Sequence, residues 1–245
     1  MGLLDEVTSK PPATPPLIVI HGPSGSRKTQ MAIDAGALIL QTEQGLGNRE
    51  ANALPIKDVD HLLAVIKELA TTEHDYKIVA LDSLDHLVPL VVAHVCAANN
   101  KPTLEAFGFG KGQMAEVDQW RIVMDYLIRL KNRKGVPVLL LAHQVTRSVS
   151  DPTQMEPYDR IEPKLPKQVN ALIKELCDVM GAVSPRMAIK ENEKGQNRAV
   201  GNGEFDLHLG QIPSIDAKNR YRLPTKCDMS WAALSALLPK AASNG

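Results

Sequence analysis

Leu17-Ile18-Val19-Ile20-His21-Gly22-Pro23-Ser24-Gly25-Ser26-Arg27-Lys28-Thr29 decides how the rest of this chain is read. Its four leading apolar residues, with no polar alternation, are the pattern of a strand buried on both faces. A glycine-rich turn follows, and a helix is expected from about Lys28 to Ala35. That order is the context a phosphate loop requires: backbone N–H groups at the positive end of a helix cradle phosphate oxygens. Gly22, Pro23, Ser24, Gly25, Ser26, Arg27, Lys28 and Thr29 are therefore the candidate nucleotide-binding residues. Lys28 would reach the β- and γ-phosphates, and the Thr29 hydroxyl would ligate Mg²⁺. The pattern G-x-x-x-x-G-K-[ST] has a second glycine where this chain has Arg27. If that position needs a positive φ, a side chain there costs about 1–2 kcal/mol. The guanidinium is equally able to contact a phosphate oxygen.

Outward from the loop, apolar runs and helical spacings alternate. Ala37–Leu40, Lys77–Asp82 and Val136–Ala142 read as buried strands, with Pro137 at a strand entrance, where proline is tolerated. Residues 57–71 and 113–131 carry apolar positions on one helical face, and Gly135 ends the second helix. Strands and helices in alternation predict an α/β fold: a mostly parallel sheet flanked by helices. Residues 177–209 read as shorter antiparallel strands toward the C-terminus, and a short helix is expected around 228–238. Residues 145–167, with Pro152, Pro157, Pro163 and Pro166, read as a long exposed loop. Residues 1–15 read as a flexible leader, with Pro11, Pro12 and Pro15 toward its end and Pro16 directly after, and 16–240 as one domain.

Composition excludes several classes. Lys and Arg number 28 against 28 Asp and Glu, and this neutrality argues against a protein that coats DNA by charge alone. Three Phe, two Trp and four Tyr are too few for a broad base-stacking sheet. Cys96, Cys177 and Cys227 are odd in number and far apart, which rules out a disulfide framework and fits a reducing, cytoplasmic setting. The most apolar stretch, Leu87–Ala98, is too short for a membrane span, and the N-terminus lacks the apolar core of a signal peptide.

Three further positions fall at the carboxyl ends of the expected strands. Asp82 closes the run Ile78–Leu81, where a carboxylate is placed to hold magnesium. Glu43 follows the strand Ala37–Leu40 and could take a proton from an attacking water. His143 and Gln144 end the strand Val136–Ala142, where a polar pair could sense the γ-phosphate.

In this order the four positions resemble the RecA-like branch of phosphate-loop ATPases. More narrowly, the sequence resembles phage-encoded RecA-like proteins of the single-strand annealing and recombination family. Phe107-Gly108-Phe109-Gly110-Lys111-Gly112, Tyr158-Asp159-Arg160 and Ala217-Lys218-Asn219-Arg220 add to the likeness, which spans roughly residues 16–224. The resemblance implies ATP and Mg²⁺ as cofactors and an ATPase of the bacterial host cytoplasm. It implies homo-oligomers, ring or filament, with nucleotide between subunits. Lys218 and Arg220, in the K-N-R position, would then act across the interface on a neighbour's γ-phosphate; Arg222 stands where a glycine is often found.

The implied partners are single-stranded DNA and a single-stranded-DNA-binding protein. The corresponding DNA segments, about 99–113 and 145–167, offer Phe107, Phe109 and Lys111, and Arg147, Lys164 and Lys167. In the second, Arg147, Arg160, Lys164 and Lys167 are matched by Asp151, Glu156, Asp159 and Glu162, so DNA binding should be weak or need a multimer. The alternative function is a nucleotide-gated DNA-binding or assembly module with little turnover. A small-molecule kinase fits less well, because no basic lid for a second phosphorylated substrate is evident.

Overall fold

Both faces of β1 (Leu17–Gly22) are covered, which is why its sequence does not alternate. Leu17 and Val19 enter one apolar cluster; Ile18 and Ile20 enter another on the opposite side of the sheet. The computed structural model describes residues 14–153, 155–191 and 197–239, so most of the expected leader lies outside the described residues. After β1 come α1 (Lys28–Asp34), β2 (Leu38–Gln41), β3 (Ala53–Pro55), α2 (Val59–Thr71), β4 (Val79–Asp82), α3 (Leu84–Ala98) and α4 (Lys111–Lys134). The second half holds β5 (Val138–Val149), β6 (Tyr158–Pro163), α5 (Lys167–Leu176), β7 (Val179–Glu191), β8 (Asn197–His208), β9 (Lys218–Asn219), β10 (Lys226–Asp228) and α6 (Trp231–Leu237).

The sheet runs β10-β8-β7-β1-β5-β4-β2-β3. From β7 to β3 every pairing is parallel; β8, β10 and β9 join antiparallel at the C-terminal side. This is the expected fold class. The larger cluster lies under α2, α3, α4 and α5 and includes Trp120, whose side chain is fully buried. The smaller one lies under α1 and α6. Each large side chain so buried contributes roughly 1.5–3 kcal/mol of transfer free energy.

Three segments depart from the sequence reading. Residues 145–167 are not an open loop: β5 runs on to Val149 and pairs antiparallel with β6, Val149 opposite Tyr158 and Gln144 opposite Pro163. α5 follows at once, with Val169, Leu172 and Ile173 on its buried face. α3 forms although Pro89 lies within it, because Leu84, Leu87, Val91 and Val95 are buried on one side. β7 and β8 are also longer than expected; residues 192–196 between them lie outside the described residues.

Directly beneath the glycine-rich turn, His21 is completely buried, with Nε2 2.8 Å from the carbonyl oxygen of Asp216 and Nδ1 without a hydrogen-bond partner among the described residues. Burial lowers its pKa from 6.5 to about 4, against the pull of Asp216. The unfolded chain therefore binds an extra proton between those two values, and this contribution to stability is lost as pH falls through that window. Lowering the pH from 7 to 5 should cost about 2 kcal/mol of unfolding free energy from this group alone. Urea titrations at the two pH values check this; equal midpoints would show that His21 is protonated in the folded state.

Candidate nucleotide-binding site

The turn after β1 is fixed by close approach and by backbone sign. A Cβ on Gly22 would lie 2.7 Å from the Val183 Cβ on β7, so only glycine fits there. Gly25 has φ +75°. Arg27 caps the start of α1 at φ 64° and ψ 19°, in the left-handed region, and its side chain is exposed. Left-handed backbone costs a non-glycine residue about 1–2 kcal/mol, whereas a glycine adds about 0.5–1 kcal/mol of unfolded-state entropy. Arg27→Gly should accordingly stabilise the fold by about 0.5–1 kcal/mol, read as a raised denaturation midpoint. A lowered midpoint would mean that the Arg27 side chain contributes more than its backbone costs.

The loop closes around its own lysine. Lys28 Nζ donates to the carbonyls of Gly22 (2.9 Å) and Pro23 (2.8 Å) and to Ser26 Oγ (3.4 Å). Burial lowers the Lys28 pKa, while Asp82, Asp85 and Glu43 push it back. The ammonium thus stands inside the glycine-rich turn, with three carboxylates acting on it.

β4 and β1 are not neighbours; β5 runs between them, pairing Gly22 with His143 and Leu141 with Asp82. The carboxyl ends of β1 and β4 therefore lie within two residues of each other along β5. Thr29 Oγ1, in the first turn of α1, donates to Asp82 Oδ2 at 2.7 Å. Burial raises the Asp82 pKa, against the Thr29 hydrogen bond and Lys28. The Asp82–Ser83 peptide is cis. Thr42, following β2, accepts from the Ser83 amide at 2.7 Å, and its own amide donates to the Asp82 carbonyl at 2.8 Å. These bonds bring Glu43, the next residue, over the cleft.

Two residues not anticipated from the sequence complete this edge. Asp85 accepts from the His143 amide (2.9 Å) with one oxygen and lies 3.0 Å from His143 Nδ1 with the other. Burial would raise its pKa, but these two contacts hold it below the ordinary carboxylate range. His86 Nδ1 lies 2.8 Å from Glu43 Oε2 and 2.8 Å from Ser83 Oγ. Their signal in the sequence is faint: both sit in the first turn of α3, one and two residues past Leu84, in an apolar stretch that Pro89 interrupts. The resulting cleft, about 760 Å³, is lined by residues 24–30 with Glu43, Asp82, His86 and His143.

The other anticipated residues lie elsewhere. Gln144 shares β5 with His143, but its Oε1 is buried with no hydrogen-bond partner among the described residues. Lys218 Nζ donates to the carbonyls of Lys174 (2.7 Å) and Glu175 (2.8 Å), at the end of α5. Arg220 donates to Asp178 at 2.6 Å, and the same carboxylate accepts from the Leu17 amide at the start of β1. The length of β1, roughly 16 Å at strand spacing, separates that amide from the glycine-rich turn. Within one chain Lys218 and Arg220 therefore stay away from Lys28.

Phe107 packs against the larger core, whereas Phe109 is fully exposed at φ 48° between Gly108 and Gly110. Lys111 opens α4 in solvent. On the β5–β6 hairpin Arg147 donates to the Leu165 carbonyl at 2.7 Å, and Lys164 and Lys167 are exposed. Arg147 and Lys167 share a groove with Arg160, Lys174, Glu162 and Asp216. No helix among the described residues is long and apolar enough to cross a membrane.

No curated protein matches the sequence. Among solved structures, the crystal structure of the RadB recombinase is similar over 87% of this chain and 86% of that one, at 17% identity and a TM-score of 0.47. The family model described as AAA domain (AAA_24) matches residues 14–221, which takes in the glycine-rich turn, the Asp82 strand, the His143 strand and Arg220. A match over that much of the sequence, running through every strand that builds the cleft, makes this chain a member of the AAA domain family.

Proposed function

We propose that the chain is a RecA-like ATPase that binds ATP with Mg²⁺ and hydrolyses it while acting on single-stranded DNA in recombination or annealing, in a phage setting. The observation that carries this reading is the convergence of Lys28, Thr29, Asp82 and Glu43 on one cleft. Thr29 and Asp82 present two hard oxygens 2.7 Å apart, the donor type Mg²⁺ prefers, and Asp82 is a buried carboxylate that a cation would relieve. Magnesium, when bound, neutralises charge on the phosphate oxygens. Lys28 would exchange its loop carbonyls for phosphate oxygens. Glu43 would orient the attacking water and take its proton, and His143 would hand the state of the site to the β5–β6 hairpin.

Lys218 and Arg220 would serve a neighbouring subunit, in a ring or filament. Phe109, Lys111, Arg147, Lys164 and Lys167 would line the path of the DNA, and a single-stranded-DNA-binding protein would be a partner there. A second reading, a nucleotide-gated binder with little turnover, is favoured by the left-handed Arg27 in the phosphate loop.

The test is ATP hydrolysis by the purified protein with and without single-stranded DNA, with Lys28→Ala as the blank. Turnover stimulated by DNA supports the first reading. Confirmed ATP binding without turnover supports the second. Phosphoryl transfer to a nucleoside or metabolite would overturn both.

A further inference from the structure

Beside the Thr29–Asp82 oxygen pair stands a second set of donors of different chemistry. Glu43 on the segment after β2, His86 in the first turn of α3 and His143 on β5 each offer one ligand atom, all within 4.8 Å of one another. Two imidazoles and a carboxylate are a poor set for Mg²⁺, which takes oxygen, and a good one for a borderline divalent ion. We propose that Glu43, His86 and His143 form a binding site for a transition ion of the zinc class, separate from the Thr29–Asp82 pair.

Three features of the geometry support it. Tetrahedral ligation at about 2.0–2.1 Å puts ligand atoms about 3.3 Å apart, so the triangle needs to contract by no more than about 1.5 Å. Side-chain rotation supplies that, since the His86 side chain is 44% exposed. His143 is already prepared: its Nδ1 faces Asp85 Oδ2, and Asp85 Oδ1 is fixed by the His143 amide, an arrangement that leaves Nε2 to ligate. A carboxylate behind a ligating imidazole, fixing its tautomer, is the usual support of a zinc-bound histidine. Finally, three protein ligands leave one coordination position open toward the cleft that the phosphate loop lines. The site shares Glu43 and His143 with the function proposed above, but its test reads metal binding without nucleotide, so the two readings fail separately.

The test measures Zn²⁺ binding to the full chain without nucleotide, by equilibrium dialysis, with visible absorption of Co²⁺ as the spectroscopic probe of geometry. One ion per chain is expected, with tetrahedral Co²⁺ absorption. His86→Gln, a change at an exposed position, and His143→Ala should each weaken binding at least ~10-fold, and Asp85→Asn by about 10–100-fold. Thr29→Ala and Cys227→Ser should leave it unchanged. Native affinity in either histidine variant would overturn the proposal, as would a loss confined to Thr29→Ala or Cys227→Ser. Displacement by equimolar Mg²⁺ would overturn it too, since it would place the ion on the oxygen pair.

Discussion

Glu43→Gln is expected to bind ATP as the native chain does and to hydrolyse it about 10²–10⁴-fold more slowly, the range a positioned general base supplies. The substitution keeps the shape of the side chain and a hydrogen-bonding partner for His86 Nδ1, 2.8 Å away, so the cleft should not rearrange. It removes the charged oxygen that would accept the water's proton. The effect should therefore fall on kcat and leave nucleotide affinity alone, and single-turnover hydrolysis beside direct binding separates the two. Full turnover by Glu43→Gln would remove Glu43 from the base role.

Lys28→Ala has the largest expected effect on binding. Nζ sits 2.8–2.9 Å from two loop carbonyls, and binding would exchange those neutral acceptors for phosphate oxygens. Hydrogen bonds to charged groups contribute about 1.5–3 kcal/mol each, so losing two corresponds to a drop of about 10²-fold or more in affinity. The same change leaves the Gly22 and Pro23 carbonyls without their cation, yet it also removes an ammonium whose burial is unfavourable. Stability should consequently change much less than affinity. Titration with a fluorescent ATP analogue, alongside thermal unfolding, measures both. Unaltered affinity would mean that the loop binds phosphate through its backbone alone.

What could be read from the sequence was what is local. The strand, turn and helix around Gly22–Thr29 depend on neighbours in sequence, and the left-handed backbone at Arg27 was foreseeable from the missing glycine. The strand ending at Asp82 and the first part of β5, up to Ala142, were legible because burial on both faces leaves an unbroken apolar run. The β5–β6 hairpin was not. Its prolines suggested a loop, while the alternation of Val145, Arg147 and Val149 only makes sense once Tyr158–Pro163 lies alongside. α3 was obscured by Pro89, whose cost is offset by four buried aliphatic residues from distant packing. Asp85 and His86 belong to the site only because β5 passes between β1 and β4 and carries His143 up to them, a fact of strand order that no local pattern announces. Phe107 and Phe109, two residues apart in one glycine-rich motif, take opposite fates for the same reason: one finds the core and the other does not.

The place of β1 in the sheet also bears on how the protein is made. Its two hydrogen-bonding neighbours are β5, beginning opposite Leu17 at Val138, and β7, meeting Ile18 at Val179. Neither exists when the ribosome has finished the phosphate loop. At the usual 5–20 residues per second, the first strand waits on the order of ten seconds for its first partner and longer for its second. During that time an apolar segment has no sheet to join. Pairings so distant in sequence also slow spontaneous refolding, because loop closure precedes any return in contacts. A fragment ending before Val138 would keep the complete glycine-rich motif and still lack the surface against which it folds.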